Sequence, residues 1–246
     1  MKNYIKIYGE RNCGTNYLYS LLAANLDCTI LGGTVPSYFR SLPDRLKDTY
    51  FTCSKNKSLG WKHGFPVADV YFNQFAKKRN LLVITITKSP YAFLNSSYKR
   101  PYGMLKNNVE SFSEFLRADC DLKGRENYRG NPITPLELWN KKNRAYLDLA
   151  KLNINCINLT YEGLLQNPKQ LISDLNQDYG FDLISEFKNI EQGTKIDSNK
   201  SFQSYKEKYL NPSWEGVMTH DDIQYINSII DTSVMDDLGY TEYKNS

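Results

Sequence analysis

The sequence predicts an α/β protein with a mainly parallel central sheet flanked by helices, and three observations carry that prediction. Apolar, β-branched runs alternate with stretches of helical periodicity, a pattern that implies right-handed crossovers and parallel pairing. "NLLVITIT" at 80–87 is a continuous apolar run, the mark of a strand covered on both faces. The first strand pattern runs into "GERNCGT" and then an amphipathic stretch, so a glycine-bearing loop joins a strand to a helix N-terminus. With 246 residues and no Pro/Gly/Ser-rich linker or break in composition, the chain reads as one domain spanning 1–246.

Each element has its own signal. Residues 3–8 alternate apolar and polar as a strand does, and 14–26 places Tyr17, Leu18, Leu21, Leu22 and Leu26 on one helical face. After a long irregular segment a second strand is expected over Ser58–Lys62, ending at "HGFP", where Gly and Pro break regular structure. Pro90 suits the first turn of a helix after the 80–87 strand, because its missing N–H has no helical partner there. Thr134-Pro135 opens an amphipathic helix over 135–152, and "INCINLTY" (154–161) is a further strand, followed by a helix near Pro168. The last quarter reads as mainly helical, with Thr219 as N-cap of a helix over 219–231.

Composition narrows the partners. The formal charge of +4, from 31 Lys+Arg against 27 Asp+Glu, is spread along the chain, so no dense basic patch of the kind that duplex binding needs is expected. Five scattered cysteines without a C-x-x-C pair point to neither a disulfide framework nor a zinc site. The N-terminus lacks a signal-peptide apolar core and "LLVITIT" is too short to cross a bilayer, so a cytoplasmic protein with no membrane association is expected.

The loop after the first strand is P-loop-like. A glycine such as Gly14 lets the backbone approach an anion, Thr15 adds a hydroxyl, and Arg11 can add a cation; a plain strand-to-helix turn would look the same. Thr15 and Asn16 stand where a triphosphatase carries the lysine for the β- and γ-phosphates and the hydroxyl for magnesium. No apolar strand ends in an acid that would anchor the metal, and "VITITK" ends in Lys88 instead. A metal-independent transfer is therefore favoured over a kinase. Lys88 and Ser96 lie eight residues apart, with the first turns of the next helix between them, and can grip a second anionic group.

The Lys88–Ser96 interval resembles the 3′-phosphate segment of sulfotransferases that use 3′-phosphoadenosine 5′-phosphosulfate (PAPS). "ERNCGTNYL" is similar to that family's 5′-phosphosulfate loop, "LTYEGLLQNP" to its Tyr-Glu-Asp-Leu stretch, and "WKHGFP", more loosely, to its lysine-histidine-proline stretch. The C-terminal "WEGVMTHDDIQYINSII…LGY" looks like its closing helices. The chain departs from the pattern in having Arg11 one position further from the glycine, Lys88-Ser89-Pro90 for Arg-Asp-Pro, Lys62 adjoining His63, and only Lys206 and Lys208 where a basic tail motif would stand.

The resemblance implies that PAPS is the co-substrate and a hydroxyl-bearing small molecule or glycan the acceptor. It implies nucleotide contacts from Arg11, Asn12, Cys13, Gly14, Thr15, Asn16, Tyr17, Lys88, Ser96 and Tyr161, with the rings of Tyr17 and Tyr161 near the adenine. His63 would be the general base, and Lys62 or Arg11 would meet the bridging oxygen. An imidazole with an ordinary pKa near ~6.5 suits the base, Glu10 is the reserve, and His220 reads as a solvated surface group. "SYFRSLPDRL" and "YKRPYGML" suggest loops over an acceptor, and Trp139 a core anchor or a pocket wall. A nucleotide kinase-like enzyme and a non-catalytic nucleotide- or glycan-binding relative are the alternatives.

Overall fold

The computed structural model describes residues 3–66, 80–152, 154–193, 200–211 and 217–243. Its sheet comes from β1 (Asn3–Tyr8), β2 (Thr29–Ile30), β3 (Asn80–Thr87) and β4 (Asn155–Thr160), in the order β2-β1-β3-β4 and parallel throughout. The helices are α1 (Thr15–Asn25), α2 (Asp44–Cys53), α3 (Lys55–Ser58), α4 (Pro90–Lys99), α5 (Phe112–Arg117), α6 (Pro135–Leu149), α7 (Tyr161–Gln166), α8 (Pro168–Gln177), α9 (Phe202–Leu210), α10 (His220–Ile229) and α11 (Thr232–Asp237). This is the α/β architecture expected from the alternation of strand and helix signals.

Alternation along β1 builds two cores. Ile5 and Ile7 face a cluster with Leu82, Ile84, Ile86 and the α1 leucines Leu18, Leu21 and Leu22, while Tyr8 faces Leu81, Val83, Leu59, Tyr146 and Leu149. From Leu81 to Thr87 every residue of β3 is buried, as its continuous apolar run foretold. The caps follow sequence chemistry closely. Pro90 opens α4, Thr134 and Glu137 form a reciprocal capping box in front of Pro135, and Thr219 caps α10 by accepting from the Asp222 amide.

The strand expected over Ser58–Lys62 is not one. Ser58 ends α3, and Leu59 and Gly60 both take left-handed conformations, with φ of 56° and 83°, which no strand accommodates. Side chains replace the missing ladder: Lys6 Nζ donates to the carbonyls of Ser58 (2.7 Å) and Gly60 (2.5 Å), and the Tyr8 hydroxyl donates to that of Leu59. Main-chain bonds then fix the next residue, with Gly9 N–H donating to Lys62 O (2.9 Å) and Lys62 N–H to Gly33 O (3.0 Å). The segment thus hangs from β1 without joining the sheet. β2, α2 and α3 lie within what the sequence presents as irregular chain. The start of the C-terminal motif, 214–216, and the last residues of the chain lie outside the described residues. Among the described residues no helix is long and apolar enough to cross a membrane.

Candidate active site

β1 and β3 pair in register from Asn3↔Asn80 to Tyr8↔Thr85, so the loop after β1 and the tip of β3 emerge side by side. Gly14 sits before α1 at φ 90°, and no side chain caps the helix. The first-turn amides therefore point out of the helix with no intrahelical acceptor. Two glycines make this turn possible. A Cβ on Gly9 would lie 2.6 Å from Ile86 O, and one on Gly14 would lie 2.2 Å from the Tyr161 ring. Asn12 also has a left-handed backbone, with φ of 66°; its side chain donates to Arg100 O (3.1 Å).

Lys88, 2 % exposed, leans over this loop. Its Nζ donates to Asn12 O (2.5 Å) and lies 4.6 Å from the Tyr161 ring centroid and 4.0 Å from that of Tyr209. Two bonds fix the main chain of this turn: Trp139 Nε1–H donates to Lys88 O (2.9 Å) and Ser89 N–H donates to Glu162 (3.1 Å). Ser96 Oγ lies 3.3 Å from the Tyr209 hydroxyl, so Lys88 and Ser96 converge on one phenol. Burial alone pushes the Tyr209 phenol up, but Lys88, Ser96 and Lys208 outweigh it and bring its pKa down to about 8. Lys88→Met removes the nearest cation, so the difference in phenolate absorbance between wild type and variant near pH 9 should amount to about one tyrosine. Equal spectra would contradict this pairing.

His63 is half-buried, and its Nδ1 lies 2.7 Å from Gly9 O. A carbonyl can only accept, so Nδ1 carries the proton and the neutral ring keeps its lone pair on Nε2. Burial, with Lys62 and Arg11 nearby, holds the imidazole well below its ordinary pKa. The Trp61 ring meets His63 edge-on at 5.1 Å and lies under the guanidinium groups of Arg11 (4.6 Å) and Arg125 (4.9 Å). Lys62 Nζ donates to Asn16 Oδ1 (2.6 Å), and burial lowers its pKa to about 8.

Arg11 and Glu10 are tied into a buried group of charges. Arg11 bridges Glu10 (3.1 Å) and Glu126 (2.9 Å); Lys142 bridges Glu126 (3.0 Å), Glu10 and the carbonyl of His63. Burial raises the Glu10 carboxyl, but Lys142 and Arg11 override it and hold it below the usual carboxylate range.

A cavity of about 570 Å³ gathers much of this set: Arg11, Asn12, Gly14, Thr15, Asn16, Tyr17, His63, Lys88 and Tyr161 all line it. Cys13, Lys62 and Ser96 stand behind that lining, Cys13 buried with its amide on Glu10 O (3.2 Å), Lys62 behind Asn16, and Ser96 behind Tyr209. The Tyr17 hydroxyl donates to Asn189 (2.8 Å) and its ring stacks on Phe202 at 5.7 Å. Arg40 and Tyr102 bring the two suspected loops to the wall, whereas Trp139, 2 % exposed, is a core anchor.

Sequence reasoning missed Trp61, Phe202, Tyr205 and Tyr209 in the wall, and Glu126 and Lys142 behind it. In "SYKEKYL" the lysines drew attention, but Lys206 donates to Gln166 O (3.2 Å) while Tyr205 and Tyr209, four residues apart on one face of α9, reach the cavity. That spacing was the available signal.

No family model matches the chain, and no curated protein sequence matches it. Among solved structures, the sulfotransferase domain from the curacin biosynthetic pathway is similar over 99% of this chain and 99% of its own, with a TM-score of 0.50 and 12% identity. The sulfotransferase domain of the Synechococcus PCC 7002 olefin synthase matches over 93% and 95%, at 17% identity and a TM-score of 0.43. A sulfotransferase from Alicyclobacillus acidocaldarius matches over 95% and 98%, at 15% identity and 0.45. At such identities the likeness is one of architecture. The chain has a sulfotransferase-like fold.

Proposed function

We propose that the protein is a PAPS-dependent sulfotransferase that acts on a hydroxyl of a small molecule or glycan, with His63 as general base. One observation carries the reading: a single cavity is lined by the uncapped first turn of α1, by Lys88 on the adjacent strand tip, and by a neutral imidazole with a free lone pair. An N–H-rich helix start with a strand-tip lysine beside it suits the phosphate groups of a nucleotide, and the imidazole suits an acceptor that loses a proton as it attacks.

On this reading the amides of residues 14–16, with Arg11 from the wall and Lys62 behind Asn16, stabilise charge gathering on the leaving phosphate. Lys88 and Ser96, joined by Tyr209, hold the 3′-phosphate, and Tyr17 and Tyr161 flank the adenine. The bond from sulfur to the phosphate oxygen breaks, a bond to the acceptor oxygen forms, and the hydroxyl proton goes to His63 Nε2. The products are a sulfate ester and adenosine 3′,5′-bisphosphate.

Adenosine 3′,5′-bisphosphate should stabilise the protein far more than AMP, ADP or ATP with magnesium. At one hundred times its dissociation constant a ligand adds about 2.7 kcal/mol, roughly 5–10 °C in Tm for a chain of this size. A larger shift with ATP and magnesium would favour a kinase. Strong bisphosphate binding without transfer to any of a broad set of acceptors would favour the non-catalytic relative.

A further inference from the structure

We propose that Lys142 and Glu126 are positioning residues for the transfer. With Glu10 and Arg11 they close a ring of buried charges that clamps the main chain of His63 to the loop after β1, and so fixes where the imidazole stands. The proposal rests on the reading of His63 as base, and its geometry is that of this chain's own contacts.

The ring is complete and electrically balanced. Lys142 Nζ donates to Glu10, to Glu126 (3.0 Å) and to the His63 carbonyl; the Arg11 guanidinium spans the same two carboxylates at 3.1 and 2.9 Å. All four residues are less than a tenth exposed: Glu10 6%, Arg11 7%, Glu126 0% and Lys142 1%. They come from separate parts of the chain, the β1 loop, the 124–126 turn and the middle of α6, and Lys142 ties them to the main chain of His63. Burying two ion pairs is costly, and packed apolar side chains commonly replace such groups without loss of stability. A ring retained at that cost therefore fits a role in fixing geometry.

Three holds on His63 share this origin. Its carbonyl is held by Lys142, its Nδ1 faces the carbonyl of Gly9, which directly precedes Glu10, and its ring edge meets Trp61, over whose face Arg11 lies. Phe65, two residues on, donates its N–H to Glu126 O at 2.7 Å. The segment 63–65 is therefore bound to both ends of the ring. The charged groups facing the imidazole are Lys62 on its own segment, Arg11 from the loop and Lys142 from α6, with the carboxylates of Glu10 and Glu126 across the ring. In this arrangement Glu10 has a structural partner for each oxygen and acts through His63, with no proton transfer of its own.

The test exploits the presence of two histidines in the chain, which lets the His63 ring be followed by nitrogen-detected NMR. Lys142→Met paired with Glu126→Gln removes one charge of each sign and keeps the ring neutral. Lys142→Gln, uncharged and one bond shorter so that the hold on the His63 carbonyl is lost, is the second variant should the pair fail to fold. Both are expected to move the His63 titration upward towards the ordinary imidazole range and to cut kcat by about a hundredfold, while KM for the acceptor and affinity for adenosine 3′,5′-bisphosphate stay within about threefold. A folded variant whose His63 titration is unmoved, or whose kcat stays within threefold, overturns the positioning role. If the wild type transfers sulfate to no acceptor, the sulfotransferase reading fails by itself, and the titration still decides whether the ring sets the state of His63.

Discussion

Replacing His63 with alanine is expected to lower kcat by about 10²–10⁴-fold and to leave the affinity for adenosine 3′,5′-bisphosphate within about threefold. The loss follows from removing the one neutral imidazole in the cavity wall, whose Nε2 is left free because Nδ1 faces Gly9 O. The nucleotide grips lie on other residues and survive the change. Steady-state rates together with calorimetric binding separate the two effects. A matching loss of binding would mean that His63 shapes the loop and transfers no proton; an unchanged kcat would remove it from the mechanism altogether. The pH profile carries a second signature. Burial and the neighbouring cations Lys62 and Arg11 depress the imidazole, so it stays unprotonated through neutrality. The acid limb of kcat/KM should therefore lie below the ordinary imidazole value of ~6.5 and disappear in His63→Gln.

Gly14→Ala should be damaging for two independent reasons. At φ 90° an L-residue is strained, and the new Cβ would stand 2.2 Å from Tyr161 Cδ2 and 2.5 Å from Cε2. Moving the ring away would disturb its contacts with Lys88, which lies over it, and with Tyr209, packed edge-on at 5.2 Å. Strain and overpacking together amount to roughly 2–6 kcal/mol, and the bisphosphate should lose its stabilising effect as the turn opens. Thermal unfolding with and without the ligand reads both. In a Tyr161→Ala background, where the clash is gone but the strain remains, Gly14→Ala should cost less stability than it does in the wild type. A Gly14→Ala protein with wild-type Tm and full ligand stabilisation would show that the turn is not the anion cradle.

The parts of the fold carried by local patterns were legible. "NLLVITIT" announced the central strand because burial on both faces demands an unbroken apolar run, and Thr134-Pro135 and Thr219 announced helix starts because capping chemistry is local. The 58–62 segment misled because its residues are apolar enough for a strand, while what decides its shape is distant: Lys6 and Tyr8, more than fifty positions away, take its carbonyls. The same limit applies to the site. Gly14 and Lys88 stand out by their positions after strands, and His63 only through the 58–62 strand that does not form, but Glu126 and Lys142 matter through contacts with Arg11 and Glu10, 115 and 132 positions away in the chain, and Lys142 in "WNKKNR" looks like any solvated helix lysine. Arg11 was read as a free cation for the ligand; its two carboxylate partners could not be seen in "ERNCGT" beyond the adjacent Glu10.

On the proposed reading, the suspension of residues 58–60 from β1 has a bearing on how the acceptor could change. Lys6 and Tyr8 belong to a strand paired on both sides, and His63, the proposed base, follows three residues after the last carbonyl they hold. The stretch 32–57, which brings Thr34, Val35 and Arg40 to the wall, ends before that anchorage. The proposed acceptor wall and the proposed base are thus held by different contacts, joined where Lys62 N–H donates to Gly33 O. Drift in the first can retune which hydroxyl is chosen while the second keeps its alignment.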